Sequence, residues 1–212
     1  MKKWILLCGL LSACTPQNQI ENQVVTPTRI EKNTLQVTNA FHGSDVQDKN
    51  MGIDFSLPST LGKNISLQDT AGKITILVFG YTHCPDVCPT NLLTYADALK
   101  QLGEDAQQVQ LYFVTVDPKR DTIDVMQSYV TTFHPSFVGL VAKDEVSLEA
   151  VKKAWSITAY PVPIAGSEDY SVDHSTGTYL LDRTGKTIVY EPHGAPVQNI
   201  VEDLQLLLAQ EK

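Results

Sequence analysis

An α/β domain with a mixed central sheet flanked by helices is predicted by three features of this 212-residue sequence. Two runs, KITILVFGY and VQLYFVTVD, are nearly all apolar and β-rich, as strands covered on both faces are. A helical pattern follows each run, the alternation that produces parallel strands. A β-hairpin and a closing helix come last and supply an antiparallel edge.

The chain opens on MKKWILLCGLLSAC, with a basic start, an apolar run from Trp4 to Ala13 and a small residue before Cys14. That is the grammar of an export signal, and the run is about half of the ~20 residues that a spanning helix needs. LSAC resembles the lipobox of bacterial lipoproteins, in which the cysteine is acylated and becomes the first mature residue; an ordinary signal peptide cut nearby is the alternative. A signal over residues 1–13 is therefore expected, with Cys8 leaving in it and Cys14 carrying lipid. Residues 14–50 are rich in Gln, Asn and Thr and read as a solvated tether, within which AFHGSDV is less linker-like and a candidate to dock on the domain. The domain itself is assigned to residues 51–212.

Within the domain, DFSLPSTLGKNISLQD reads as a short hairpin turning at Leu61-Gly62-Lys63-Asn64. After KITILVFGY, TNLLTYADALKQLGED places Leu92, Ala96, Leu99 and Leu102 on one helical stripe, with Gly103 as a stop. DTIDVMQSYVTTF and DEVSLEAVKKAWSI read as helices opened by Asp at the cap, with strand-like FVGLVA between them. TGTYLLD and TIVYEP form a hairpin around RTGK, and APVQNIVEDLQLLLAQEK closes as a helix. This order suits a thioredoxin-like sheet. The segment from Trp155 to Asp173, with prolines near its start, reads as a mobile flap or a loop.

Sixteen basic residues against twenty-four acidic ones give a formal net charge of −8, and no Lys/Arg block is present to neutralise phosphates, so nucleic acid is not an expected partner. With two of the four cysteines assigned to the export segment and its lipid, Cys84 and Cys88 remain, in an oxidising compartment outside the cytoplasm.

Those two lie in FGYTHCPDVCPT, beyond the carboxyl end of a central strand, where open α/β sheets place their sites. Asp117, at the end of VQLYFVTVD, shares that position. Pro89 is tolerated only in a helix's first turn, so the helix starts near Cys88, and its free N–H groups favour a thiolate; Asp86 between the cysteines opposes this. A structural disulfide over so short a loop restricts the unfolded chain little. Structural zinc normally takes four protein ligands. Two thiols suit copper(I), and imidazole suits copper in both common oxidation states, so histidine is the natural third ligand. Of the five histidines, His83 points away from its neighbour Cys84 in an extended chain, His134 reads as a helix cap and His42 falls in the tether. His174 precedes an inner strand of the last hairpin, on the side that faces the cysteines in a thioredoxin-like fold; His193, ahead of a helix, has the weaker claim.

With FGYTHCPDVCPT, VTVDPKRDT and VDHSTGTYLLDRTGK in that order, residues from about 50 to 210 resemble the Sco/SenC family of copper-binding proteins that assist cytochrome c oxidase assembly. The resemblance implies a thioredoxin-like fold of the peroxiredoxin-like variety. It implies that Cys84, Cys88 and His174 ligate a copper ion, Cu(I) or Cu(II), destined for the binuclear centre of an oxidase subunit. Asp86 and Asp117 also match family positions and would tune the ligands from behind. Asp121 is read as a helix cap and left out of the site. Two roles use the same cysteines: a metallochaperone, and a thiol-disulfide oxidoreductase that reduces the oxidase copper-site cysteines; the expected partners are the copper-receiving oxidase subunit and other periplasmic copper or thiol proteins. Only the first requires His174. A peroxidase role ranks last, since no peroxide-polarising motif is evident. The expected location is the bacterial cell envelope, lipid-anchored, on the periplasmic face in a Gram-negative cell.

Overall fold

The computed structural model describes residues 40–49, 51–52 and 55–210. The expected signal peptide, Cys14 and most of the tether lie outside the described residues.

The central strands form where both faces can be covered. Every residue of β4 (Ile74–Gly80) is buried, and in β5 (Val109–Thr115) all but Gln110 are. They pair in parallel, with Gly80 opposite Thr115 at their carboxyl ends, and β6 (Val138–Leu140) extends the parallel set. On the other side β9 (Thr178–Leu181) runs antiparallel to β4, followed outward by β10 (Thr187–Glu191) and β1 (Ser44–Asp45). The result is a mixed six-stranded sheet in the order β1-β10-β9-β4-β5-β6, the thioredoxin-like arrangement the sequence predicts. β2 (Ser56–Pro58) and β3 (Asn64–Ser66) make the expected small hairpin, bridged to the sheet edge through Ser59 and Leu140.

Helix α1 (Val87–Leu102) packs against both α2 (Ile123–Phe133) and α4 (Val197–Ala209). Its buried stripe contains Leu92, Leu99 and Leu102 as expected, but Tyr95 and Ala98 complete it and Ala96 is only half-buried. Gly103 ends α1 at φ 61°, a conformation that side chains with a Cβ rarely adopt. The expected cap Asp144 opens α3 (Glu145–Ala154) by accepting from Ser147 N. Beyond α3 the fully buried Trp155 ring packs among Phe55, Phe79 and Tyr179.

Two segments differ from expectation. A boundary at residue 51 falls inside the fold: Ser44 and Asp45 form β1, and the N–H groups of His42 and Gly43 donate to Asp203 of α4 at 2.8 and 2.9 Å. This strand lies within AFHGSDV, the stretch read as a candidate to dock. The segment read as flap or loop contains a β-hairpin, β7 (Ala159–Pro163) paired antiparallel with β8 (Tyr170–His174). Pro161 and Pro163 argue against a central strand, but an isolated two-stranded ribbon has a free edge on each side and tolerates them.

Candidate metal centre

The site forms where β4 runs out. Cys84 lies in the loop after Gly80, its N–H turned back to Tyr81 O at 3.3 Å, while Cys88 is the second residue of α1 and is 2 % exposed. Pro89 therefore sits in the first turn, as its missing N–H requires. Gly80 is what allows the helix to start so close to the strand. A Cβ there would lie 2.8 Å from Cys88 Sγ and equally close to the Phe113 ring.

His174 comes from the end of β8 and meets the cysteines from the other side. Its Nε2 is 3.6 Å from Cys88 Sγ, and the Cys84 and Cys88 sulfurs and an imidazole nitrogen all lie within 4.8 Å of one another. Nδ1 is 2.8 Å from Ser175 O, which can only accept, so Nδ1 carries the proton and Nε2 presents a lone pair towards the sulfurs. A ring nitrogen tethered to a backbone carbonyl while the other faces soft donors is the usual posture of a ligating histidine.

The two sulfurs are unbridged and hold their protons unequally. A hydrogen bond from Cys88 brings the Cys84 thiol down to about 3 against the penalty of burial, assisted by the N–H groups of Cys88 and Asp86. The Cys88 thiol is pushed far up, first by that same shared bond and then by burial. Cys84 is thus the sulfur favoured as thiolate and Cys88 the one that keeps its proton. Three donors, two sulfur and one nitrogen, can take a soft cation once that proton leaves.

The acidic residues divide differently from expectation. Asp86 is the N-cap position of α1, but its side chain makes no capping bond; it reaches Thr90 Oγ1 at 3.5 Å, and the group that addresses Cys84 is its backbone N–H. Asp117 is buried and accepts from Tyr170 OH at 2.8 Å and Arg120 Nε at 2.5 Å, so its carboxylate faces β8. Asp121 is not the cap of α2, a role taken by Thr122, which accepts from Val125 N. Fully buried, Asp121 accepts from Thr82 N at 3.0 Å, Thr82 Oγ1 at 2.6 Å and Thr115 Oγ1 at 2.5 Å, pinning the cysteine loop to the end of β5. The adjacent opposite charges of Arg120 and Asp121, a few residues beyond a buried strand, were the available signal for this pair.

The remaining histidines stay outside the cluster. His83 is exposed against Thr82 Oγ1, His134 is the C-cap of α2, His42 pairs with Glu202 at 2.6 Å and His193 is exposed ahead of α4.

The family model for SCO1/SenC matches residues 43–209. An SCO2-like protein of Rickettsia typhi is 29% identical over 92% of this chain and 88% of its own length. The mitochondrial SCO1 homolog 1 of Arabidopsis thaliana is 36% identical over 72% of this chain, which spans only 44% of that protein's length. The copper-bound structure of Bradyrhizobium japonicum ScoI, at 35% identity and a TM-score of 0.68, covers 74% of this chain and 99% of its own.

Proposed function

The chain belongs to the SCO1/SenC family, and from that premise we propose that it is a copper carrier which holds the ion on Cys84, Cys88 and His174 and assists assembly of the binuclear copper centre of cytochrome c oxidase. The observation that carries this reading is the convergence of three donors on one point, with the imidazole tautomer set for ligation. Copper is cargo here. The two thiolates suit copper(I), His174 adds a donor that copper(II) needs more, and transfer proceeds by ligand exchange as a partner's sulfurs replace these. Cys84, partly exposed at the rim, is the sulfur a partner reaches first. Asp117 and the Asp86 backbone act from behind the ligands.

One observation favours a second reading. A depressed thiol paired with a protonated one is also how a thiol-disulfide oxidoreductase presents its nucleophile, and such an enzyme would reduce the oxidase copper-site cysteines. Titrating the reduced full-length chain with copper(I) and copper(II) beside Cys84→Ser, Cys88→Ser and His174→Ala tests the carrier. One ion per chain is expected, with sulfur-to-copper charge-transfer absorption in the cupric form and a sharp cupric loss in His174→Ala. Normal oxidase copper loading by His174→Ala under copper limitation would instead favour the reductase.

We further propose that Cys14 is acylated and anchors the domain at the bacterial envelope, on the periplasmic face where there is one. No helix among the described residues is long and apolar enough to cross a membrane. Cys14→Ser should release the chain from membranes, and unchanged fractionation and mass would refute the anchor.

A further inference from the structure

We propose that Arg120 is a positioning residue for His174: it clamps the β7–β8 hairpin so that the imidazole meets the two sulfurs. This deepens the carrier reading and rests on it.

The hairpin stands outside the six-stranded sheet, and a two-stranded ribbon has little stability of its own. Its second strand β8 lies against the body and is fixed there by a few bonds, most of which Arg120 makes or organises. Nη1 of Arg120 donates to Tyr170 O at 2.8 Å and to Asp169 Oδ1 at 2.7 Å, while Nε donates to Asp117, whose other oxygen accepts from Tyr170 OH. The guanidinium also lies 3.7 Å from the Tyr170 ring centre and 5.7 Å from that of Tyr81. Tyr81 completes the connection: its OH accepts from Val172 N at 3.2 Å, and its ring meets the His174 ring edge-on at 5.7 Å and 86°.

His174 closes the base of the ribbon, four residues along the same strand from Tyr170, and Val172, held by the Tyr81 hydroxyl, lies between them, so a shift of β8 at Arg120 is carried along the strand and through the Tyr81 ring to the imidazole. Metal constellations tolerate displacements of only about 0.5 Å. The cysteines do not depend on the same clamp, because α1 carries Cys88 and Asp121 secures the loop of Cys84. Adjacent residues of one short loop thus hold the two halves of the site separately. Lysine cannot substitute fully, since a point charge would keep the ion pair with Asp117 but lose the planar fork and the ring stacking.

The test is a cycle on the reduced full-length chain with Arg120→Met, His174→Ala and the double variant, titrated with copper(II) and copper(I), together with the dithiol reduction potential. Arg120→Met is expected to weaken cupric binding roughly 10- to 100-fold and shift the charge-transfer bands, as loss of a supporting partner does. Copper(I) affinity and potential should stay at wild-type values. In the His174→Ala background the Arg120 effect should vanish, which mere loosening of the fold would not produce. Wild-type cupric spectra and affinity in Arg120→Met would overturn the inference, as would a parallel fall in cuprous affinity and potential, or an Arg120 effect that persists without His174. Arg120→Lys, expected midway, and Asp169→Ala give the same readout if Arg120→Met does not fold. If His174→Ala alone leaves cupric binding intact, the three-ligand reading itself falls; if only the Arg120 effect is missing, that reading stands and the clamp is refuted.

Discussion

Replacing Gly80 with alanine adds one methyl group at the tightest point between the sheet and the metal site. That carbon would sit 2.8 Å from Cys88 Sγ and from two atoms of the Phe113 ring, whereas ordinary contact begins at 3.4 Å, so the neighbours must give by about 0.6 Å. Phe113 is fully buried on β5 and cannot retreat, which leaves the first turn of α1 to move and to carry the Cys88 sulfur with it. Overpacking of this kind costs about 1–3 kcal/mol. For a chain of this size that lowers Tm by roughly 2–12 °C. The displaced sulfur should lower copper(I) affinity about tenfold, the size of effect seen when a ligand loses its support. Thermal melting by circular dichroism and copper(I) competition against a chromophoric chelator read the two effects. A melting temperature within about a degree of wild type, with unchanged affinity, would show that the approach of α1 to Gly80 is not what seats Cys88.

Asp121→Ala strands one backbone N–H and two hydroxyls in a buried site and should cost about 3–5 kcal/mol in urea unfolding. It should also speed Cys84 alkylation by freeing the loop, and wild-type stability would refute the pin. Glu191, buried beside Asp203, is pushed up to about 8 from an ordinary 4.5, by burial first and by its hydrogen bond to Asp203 next. The folded chain then keeps a proton that the unfolded chain has released, so the contribution of Glu191 to stability is fully present below pH 4.5 and is lost as pH rises through about 8, by at most about 1.4 kcal/mol per pH unit. Glu191→Gln should flatten this slope in urea titrations at pH 5 and 8, and an unchanged slope would assign it elsewhere.

Much of this was legible in the sequence because the signals were local. The apolar runs of β4 and β5 announce strands buried on both faces, and Pro89 fixes where α1 starts. His174 could be preferred to four other histidines because the order of elements brings its loop to the cysteines. What stayed hidden were contacts across the chain. Asp121 resembles any aspartate ahead of a helix until Thr82, thirty-nine residues earlier, is seen to donate to it. Arg120 gains its meaning only once Tyr170, fifty residues later, lies against it. The β7–β8 ribbon evades a rule about prolines that holds for interior strands, and β1 is too short to show any periodicity.

With the Cys84 thiol pushed down and the Cys88 thiol pushed up, uptake of copper(I) exchanges one monovalent cation for another. A thiolate with a thiol carries one negative charge, and so do two thiolates around a cuprous ion. Filling the site with copper(I) therefore leaves its electrostatic field at long range nearly as it was, and a docking surface reading charge alone cannot tell an empty carrier from a loaded one. Copper(II) differs, because it raises the charge of the same site by one. Discrimination of cuprous cargo must then reside in contact geometry at the rim, where Cys84 is reached, while oxidation of the metal is the event visible from a distance.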